Sequence, residues 1–277
     1  MPPLFAGLVD DASALAPGVS SLADALAAHA QHAAAWYRDL LGVFLIPASL
    51  VDRDVAPAGR AVGVVNDAPL AALPAVIAKL RVAGAVVGHV EAAVARRGED
   101  PQPGIAVLHR LAADDEDLDV YAEIPLTWGL LAALDSVAEA RAGGLRMAAK
   151  FRVGGLAAEL FPTPVELAAV ICACRDRNLP FRLAAGMRHA LRHTDPETGF
   201  THHGFLNVLM AAISAAEGGE VAEVAEALAA THPVPLVEPA RARRDGARPL
   251  WVAFGTANVM DPLTELIRLG LVNGGFE

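Results

Sequence analysis

The chain has 277 residues, 54% of them hydrophobic and 19% charged, which is enough to bury a large core as one large α/β domain or two smaller ones and too apolar for a disordered protein. A formal net charge of −10 excludes nonspecific nucleic-acid binding as the main task, because neutralising phosphates needs a basic face. No apolar run reaches membrane-spanning length without polar interruption, and the start Met1-Pro2-Pro3-Leu4-Phe5 lacks a positively charged leader, so the chain reads as cytoplasmic with no membrane partner.

Short apolar runs alternate with longer helical patterns, the signature of βα units with parallel strands. In chain order the pattern predicts a strand at Leu4–Val9, a helix at Leu22–Leu41, strands at Val43–Pro47 and Ala61–Asn66, a helix at Pro69–Ala83 and a strand at Ala85–Glu91. An irregular helix at Gly104–Ala112 and a strand at Asp119–Ile124 follow, then a helix at Trp128–Ala142, a strand at Arg146–Arg152, a helix at Thr163–Asn178 and a strand at Pro180–Ala185. Helices at Gly204–Ala216 and Val221–Thr231 occupy a longer excursion, Arg241 to Gly246 reads as a solvated loop, and a strand at Leu250–Phe254 with a helix at Pro262–Leu269 closes the chain.

Eight strands with intervening helices predict a single (β/α)8 TIM-like barrel over residues 1–277, with its active site at the C-terminal ends of the strands. Irregularity is expected at the acidic connection Glu99–Leu118 and in the last connection. An open doubly wound sheet is the alternative. The apolar segment Leu263–Val272 is expected to cover the barrel, with a role in joining a homo-oligomer as the other reading. Cys172 and Cys174, two apart on a helix, point to different sides and read as packing thiols rather than a disulfide or a zinc half-site.

Only two of the 22 cationic side chains are lysines, and Lys150 lies in the strand pattern Met147 to Val153. Arginine serves for surface charge but not as an amine nucleophile, which singles out Lys150 as a working residue, with a buried ion pair as the bland reading. Period two predicts that Phe151 and Val153 face the helices while Lys150 and Arg152 face the barrel interior. The same parity turns Val120, Ala122 and Ile124 outward and Tyr121 and Glu123 inward, and on the preceding strand it turns Val87, His89 and Glu91 inward. Burying Glu91, Glu123, Lys150 and Arg152 together is costly unless they pair, a cost more often met at functional sites than in passive cores.

The next strand adds Arg182, suited to holding a carboxylate or phosphate, with small residues at its end that leave room for a ligand. Four histidines, His189, His193, His202 and His203, fall between this strand and its helix, where barrel sites are assembled, and His203 is a candidate acid or base. Gly154, Gly155, Gly186 and Gly255 can let backbone amides approach an anion, although such glycines are weak signals.

The motifs Lys150-Phe151-Arg152-Val153-Gly154-Gly155, Phe161-Pro162, Phe181 to His189 and His203-Gly204-Phe205-Leu206-Asn207 resemble those of an uncharacterised group of bacterial proteins, over roughly the third quarter of the chain. Lys150, Arg152, Gly154, Gly155, His189, His203 and Asn207 match that group. Where it usually reads Phe-Lys-Ala-Thr-Ala-Gly-Leu-His-His, this chain has Arg182 at the lysine, Ala184 at the threonine and Arg188 at the first histidine. No activity comes with the resemblance. A looser similarity is to Schiff-base aldolase barrels, whose reactive lysine stands on the sixth strand.

Three functions follow. The first is a carbon–carbon lyase or related aldolase-like enzyme on a small anionic carbonyl metabolite, with Lys150 forming an imine or polarising the carbonyl. Glu123, His203 and Glu91 are the other catalytic candidates, and Arg152, Arg182, Gly154, Gly155, Gly186, His189 and Asn207 bind substrate. Burial and Arg152 should lower the Lys150 pKa, against a pull from the two acids. The second is a metal-assisted hydrolase or isomerase using Glu91, Glu123 and one or more of His89, His189 and His203, although the spacing lacks His-x-His or His-Glu-x-x-His. The third is a noncatalytic small-acid-binding protein with a retired site. No Gly-x-Gly-x-x-Gly follows a strand and no P-loop occurs, so no cofactor is expected.

Overall fold

The computed structural model describes residues 1–15, 21–51 and 57–274. Eight strands close into a parallel barrel: β1 (Val9–Asp11), β2 (Leu41–Pro47), β3 (Ala61–Asn66), β4 (Val86–Ala93), β5 (Asp119–Glu123), β6 (Met147–Arg152), β7 (Phe181–Ala184) and, after two short strands, β10 (Trp251–Thr256). Each pairs with its neighbours in chain order, and β1 pairs with β10 to shut the ring. Helices α1 (Leu22–Ala34), α2 (Leu73–Val82), α3 (Gln102–Asp114), α4 (Leu130–Ala142), α5 (Pro164–Asp176) and α6 (Phe205–Ala216) follow the strands, with α7 (Val221–Ala229) and α8 (Val234–Ala242) ahead of β10 and α9 (Met260–Arg268) at the end. The chain therefore folds as a TIM-like (β/α)8 barrel.

Local chemistry explains most of these boundaries. Helix α5 starts where Thr163 and Glu166 form a capping box: the Thr163 backbone N–H donates to Glu166 Oε2 at 2.7 Å, the Glu166 N–H donates to Thr163 Oγ1 at 3.3 Å, and Pro164 occupies the first turn. The connection expected to be irregular holds α3, a regular helix whose Ile105, Leu108, Leu111 and Ala112 are buried. Helix α8 was not anticipated, because Pro235 and the interior Pro239 mask its periodicity; Arg241 and Ala242 end this helix rather than starting a loop. Leu263 and Leu266 of α9, with Leu271 and Val272 beyond it, are buried within the chain's own core.

The first strand lies later than Leu4–Val9. Pro2 and Pro3 set a 3-10 turn over Pro3–Phe5, and Gly7 at φ +58° breaks the extended path, so β1 takes in Asp10 and Asp11 instead. A second displacement concerns Val87. In the pairing of β3 with β4, Val62 opposes Val87 and Gly63 opposes His89, which leaves Gly88 as an extra residue. This bulge reverses parity, so Val87 joins the apolar layer under the helices, while His89 and Glu91 keep their inward aim.

The apolar layer lies between strands and helices, where Val120, Ala122, Ile124, Met147, Ala149, Phe151 and Val153 pack in one cluster. Cys172 and Cys174 are buried free thiols in α5, and burial pushes the Cys174 thiol up to about 12. Inside the ring the character changes. Tyr121 and Ala148 are buried yet stand apart from that cluster, and Asp10, His89, Glu91, Lys150 and Arg182 are buried polar groups. Barrels of this kind usually fill their interior with branched aliphatic layers. Here the upper layer is ionic.

Candidate active site

Register brings the charges to one level. Glu123 on β5 is paired with Lys150 on β6, which is paired in turn with Arg182 on β7. Lys150 Nζ lies 2.6 Å from Glu123 Oε2 and 2.9 Å from Glu91 Oε2. Arg152 Nε reaches Glu123 Oε1 at 3.2 Å, and Arg182 Nε reaches Glu91 Oε1 at 3.2 Å. The Arg182 Nη2 also pairs with Asp10 across the ring closure. The series Asp10, Arg182, Glu91, Lys150, Glu123, Arg152 thus alternates in sign from end to end, which is the arrangement that makes burying so many charges tolerable.

Aromatic rings and missing side chains complete the cage. The Arg182 guanidinium sits 4.7 Å over the Tyr121 ring, in a cation–π contact. His89 packs edge-on against the same ring at 5.3 Å, with Nε2 3.3 Å from Glu91 Oε1. A β-carbon at Gly63 would overlap the His89 ring, and one at Gly42 would overlap Asp10 Oδ1. Two glycines on β2 and β3 therefore make room for the polar interior, and the Val43 N–H donates to Asp10 Oδ1 at 2.9 Å.

Electrostatics fixes the protonation states. Burial opposes every charge here, yet the Lys150 ammonium brings the Glu91 carboxyl down to about 2, and Lys150 with Arg152 holds Glu123 below the usual carboxylate range. Burial likewise works against the Lys150 ammonium, but Glu91 and Glu123 outweigh it and raise its pKa. Of the opposing pulls on this amine, the two carboxylates in contact with it prevail over burial. Burial pulls Arg182 down to about 9, which still leaves it cationic at neutral pH.

Access is graded along the series. Lys150 is 3% exposed, Glu123 15% and Arg152 47% at their side chains. Glu123 and Arg152 line a 170 Å³ cavity with Arg97, Ile124, Pro125 and Glu159, over the C-terminal ends of β4, β5 and β6. Lys150 lies behind Glu123, 2.6 Å from that carboxylate, and does not itself line the cavity.

The remaining candidates divide. His203 is buried with both ring nitrogens engaged, Nε2 2.8 Å from Pro162 O and Nδ1 3.3 Å from Arg192 Nη1, and burial pushes its pKa down to about 4. Asn207 ties α6 to its surroundings: its Oδ1 accepts from the Arg192 N–H at 2.7 Å, and its Nδ2 donates to Ala227 O and Ala230 O at 2.8 and 2.7 Å. His189 is half-exposed beside Glu265 at 3.4 Å and stacks edge-on against His193, which stacks on His202. Those histidines belong to the hairpin of β8 (His193–Thr194) and β9 (Thr201–His202) and its approach, not to the ionic series. Gly154 and Gly186 pack backbone to backbone, and Gly155 abuts Leu160.

Asp10 carries no sequence signal of its own, since an Asp at a strand end is commonly a helix cap, and only ring closure sets it opposite Arg182. Its neighbour Asp11 faces outward to His29 of α1 at 3.0 Å. No group of three or more His, Cys, Asp or Glu placed to hold a metal ion occurs among the described residues. No helix among them is long and apolar enough to cross a membrane. The fold and this ionic mouth together define a TIM-like barrel of a type compatible with an enzyme. No protein-family model matches the chain, and no curated protein matches it significantly.

Proposed function

We propose that this protein is an aldolase-like enzyme, a carbon–carbon lyase or close relative, acting on an anionic carbonyl compound with Lys150 as a fixed ammonium. The observation that supports this reading is Lys150 Nζ held at 2.6 and 2.9 Å by two acids at the C-terminal ends of the strands, the face where barrels of this architecture do chemistry. Glu91, backed by Arg182 and His89, orients the ammonium from below. Arg152, the most exposed cation of the series, holds the substrate carboxylate or phosphate.

The competition for Arg152 is the working feature. When a substrate anion takes this guanidinium, Glu123 loses one of its two cations and becomes more basic. It then removes the proton from the hydroxyl of a β-hydroxycarbonyl compound. The carbon–carbon bond breaks, its electrons pass to the carbonyl as an enolate, and the Lys150 ammonium stabilises the oxygen charge. Return of the proton from Glu123 to the enolate carbon closes the cycle. Proton transfer falls to Glu123 rather than His203, whose nitrogens are already engaged.

An imine at Lys150 would first require the amine to lose its proton against both carboxylates. The test is turnover of a panel of β-hydroxy and 4-hydroxy-2-oxo acids, with borohydride present in parallel and peptide mapping of the product. Cleavage that is lost in Lys150→Met and partly kept in Lys150→Arg, with no reduced adduct, is the expected result. An adduct on Lys150 would replace the ammonium role with an imine. Tight binding of these acids without turnover would favour a noncatalytic small-acid binder, a reading to which the burial of Lys150 gives some support.

A further inference from the structure

The 170 Å³ cavity at Glu123 and Arg152 has a larger neighbour on the outer side of the barrel mouth. The two share Arg97, Leu126 and Glu159, and the larger, of 670 Å³, runs outward between α4 and α5. That larger space is walled by Leu130 and Leu131 of α4, by Val170 and Ala173 of α5, and by Phe161 and Pro162 from the connection between β6 and α5. Its charged lining residues are Arg97, Glu159 and Glu166. The Arg97 Nη1 donates to Glu159 O at 3.2 Å at the junction of the two spaces, and Glu166 is occupied in capping α5. Polarity is therefore graded: ions at the mouth, apolar wall beyond.

Two features separate this groove from an ordinary crevice between helices. Its volume falls in the range of sites that hold drug-sized molecules, far more than a three- or four-carbon acid fills. A large apolar lining side chain also stays exposed, Leu131 at 57%, and Trp128 and Val165, next in sequence to the lining residues Thr127 and Glu166, are 73% and 61% exposed. An apolar wall adjoining a charged pocket, with Arg97, Leu126 and Glu159 common to both, matches an amphipathic small molecule better than a protein partner, because a small molecule can lie in the groove and reach the narrow mouth past those shared residues.

We propose that the α4–α5 groove is a binding subsite for the apolar arm of the ligand, so that the substrate class is an anionic carbonyl compound carrying a medium-length alkyl or acyl chain. Its anionic head sits at Arg152, and its chain passes Arg97 and Leu126 into the space between Leu130 and Val170. This rests on the reading of Glu123 and Arg152 as the site mouth.

Binding of straight-chain 2-oxo acids from four to ten carbons, measured by titration calorimetry on the whole chain, tests it without any need for turnover. Affinity should rise with chain length by about threefold to fourfold per buried methylene, up to the length of the groove. Ala169→Trp fills the groove from an exposed position on α5, and its folding is checked by circular dichroism; the chain-length gain should collapse in this variant. Affinities independent of length, or a gain that survives Ala169→Trp, would overturn the subsite. So would a concentration-dependent dimer abolished by the same variant, which would assign the groove to a second copy of the chain. Arg152→Ala separates the two claims: a chain-length gain that persists while Arg152→Ala leaves all affinities unchanged keeps the groove and discards the mouth as the head-group site.

Discussion

Lys150 and Arg182 are register partners on neighbouring strands, and Glu91 keeps these two cations side by side by giving Oε2 to one and Oε1 to the other. Like charges at adjacent inward positions would repel if the carboxylate between them were lost. Asp10 and Glu123 then extend the alternation in both directions.

Glu91→Gln should therefore destabilise the fold by roughly 3–5 kcal/mol, since removing one partner strands buried charge. Urea unfolding measures it. In a double-mutant cycle with Lys150→Met the two losses should be strongly non-additive, the pair costing less than the sum of the singles. Additive losses would mean that the contact carries no coupling.

Stability should fall with acid in two windows. His203 has a folded pKa of about 4, below the ordinary histidine value, so its contribution is present above about pH 6.5 and is lost as pH falls towards 4. Glu91, depressed to about 2, contributes fully above the ordinary carboxylate pKa and loses that contribution as pH falls through its folded value. Thermal melts between pH 7 and 2 should show both slopes, and His203→Phe should flatten the upper one alone. An upper slope unchanged in that variant would assign it to another group.

Gly63→Ala places a methyl group against the His89 ring and should cost about 1–3 kcal/mol, as overpacking does elsewhere. His89→Ala in the same chain should restore part of that loss. Chemical denaturation of the single and double variants decides the matter, and no recovery would locate the strain away from His89.

Arg152→Ala should change stability by less than about 1 kcal/mol, because its guanidinium is half in water. Ligand binding should weaken far more. Equal small effects on both would remove Arg152 from the site.

How much of this was written in the chain can be argued element by element. The strand Ala61–Asn66 appears with the predicted ends, and alternation assigned Glu123 and Lys150 to the interior, because a pleated strand turns successive side chains to opposite faces whatever surrounds it. Val87 escaped that rule since a bulge is a property of two paired strands and leaves no mark on one of them. Helix α8 escaped because its prolines argue locally against a conformation that packing of Leu236 and Val237 then enforces.

The sequence by itself determined the barrel's alternation of strands and helices, the inward aim of Glu91, Glu123 and Lys150, and the scarcity of lysine that drew attention to one amine. Only the tertiary structure decided that Asp10 meets Arg182, that Glu91 serves two cations, that His203 and Asn207 hydrogen-bond to Pro162 and Arg192, and that two carboxylates in contact raise the Lys150 pKa. The physical reason is range. Side-chain direction is set within a few residues of backbone, whereas the sign of a pKa shift depends on which charges arrive within a few ångströms from strands far apart in the chain.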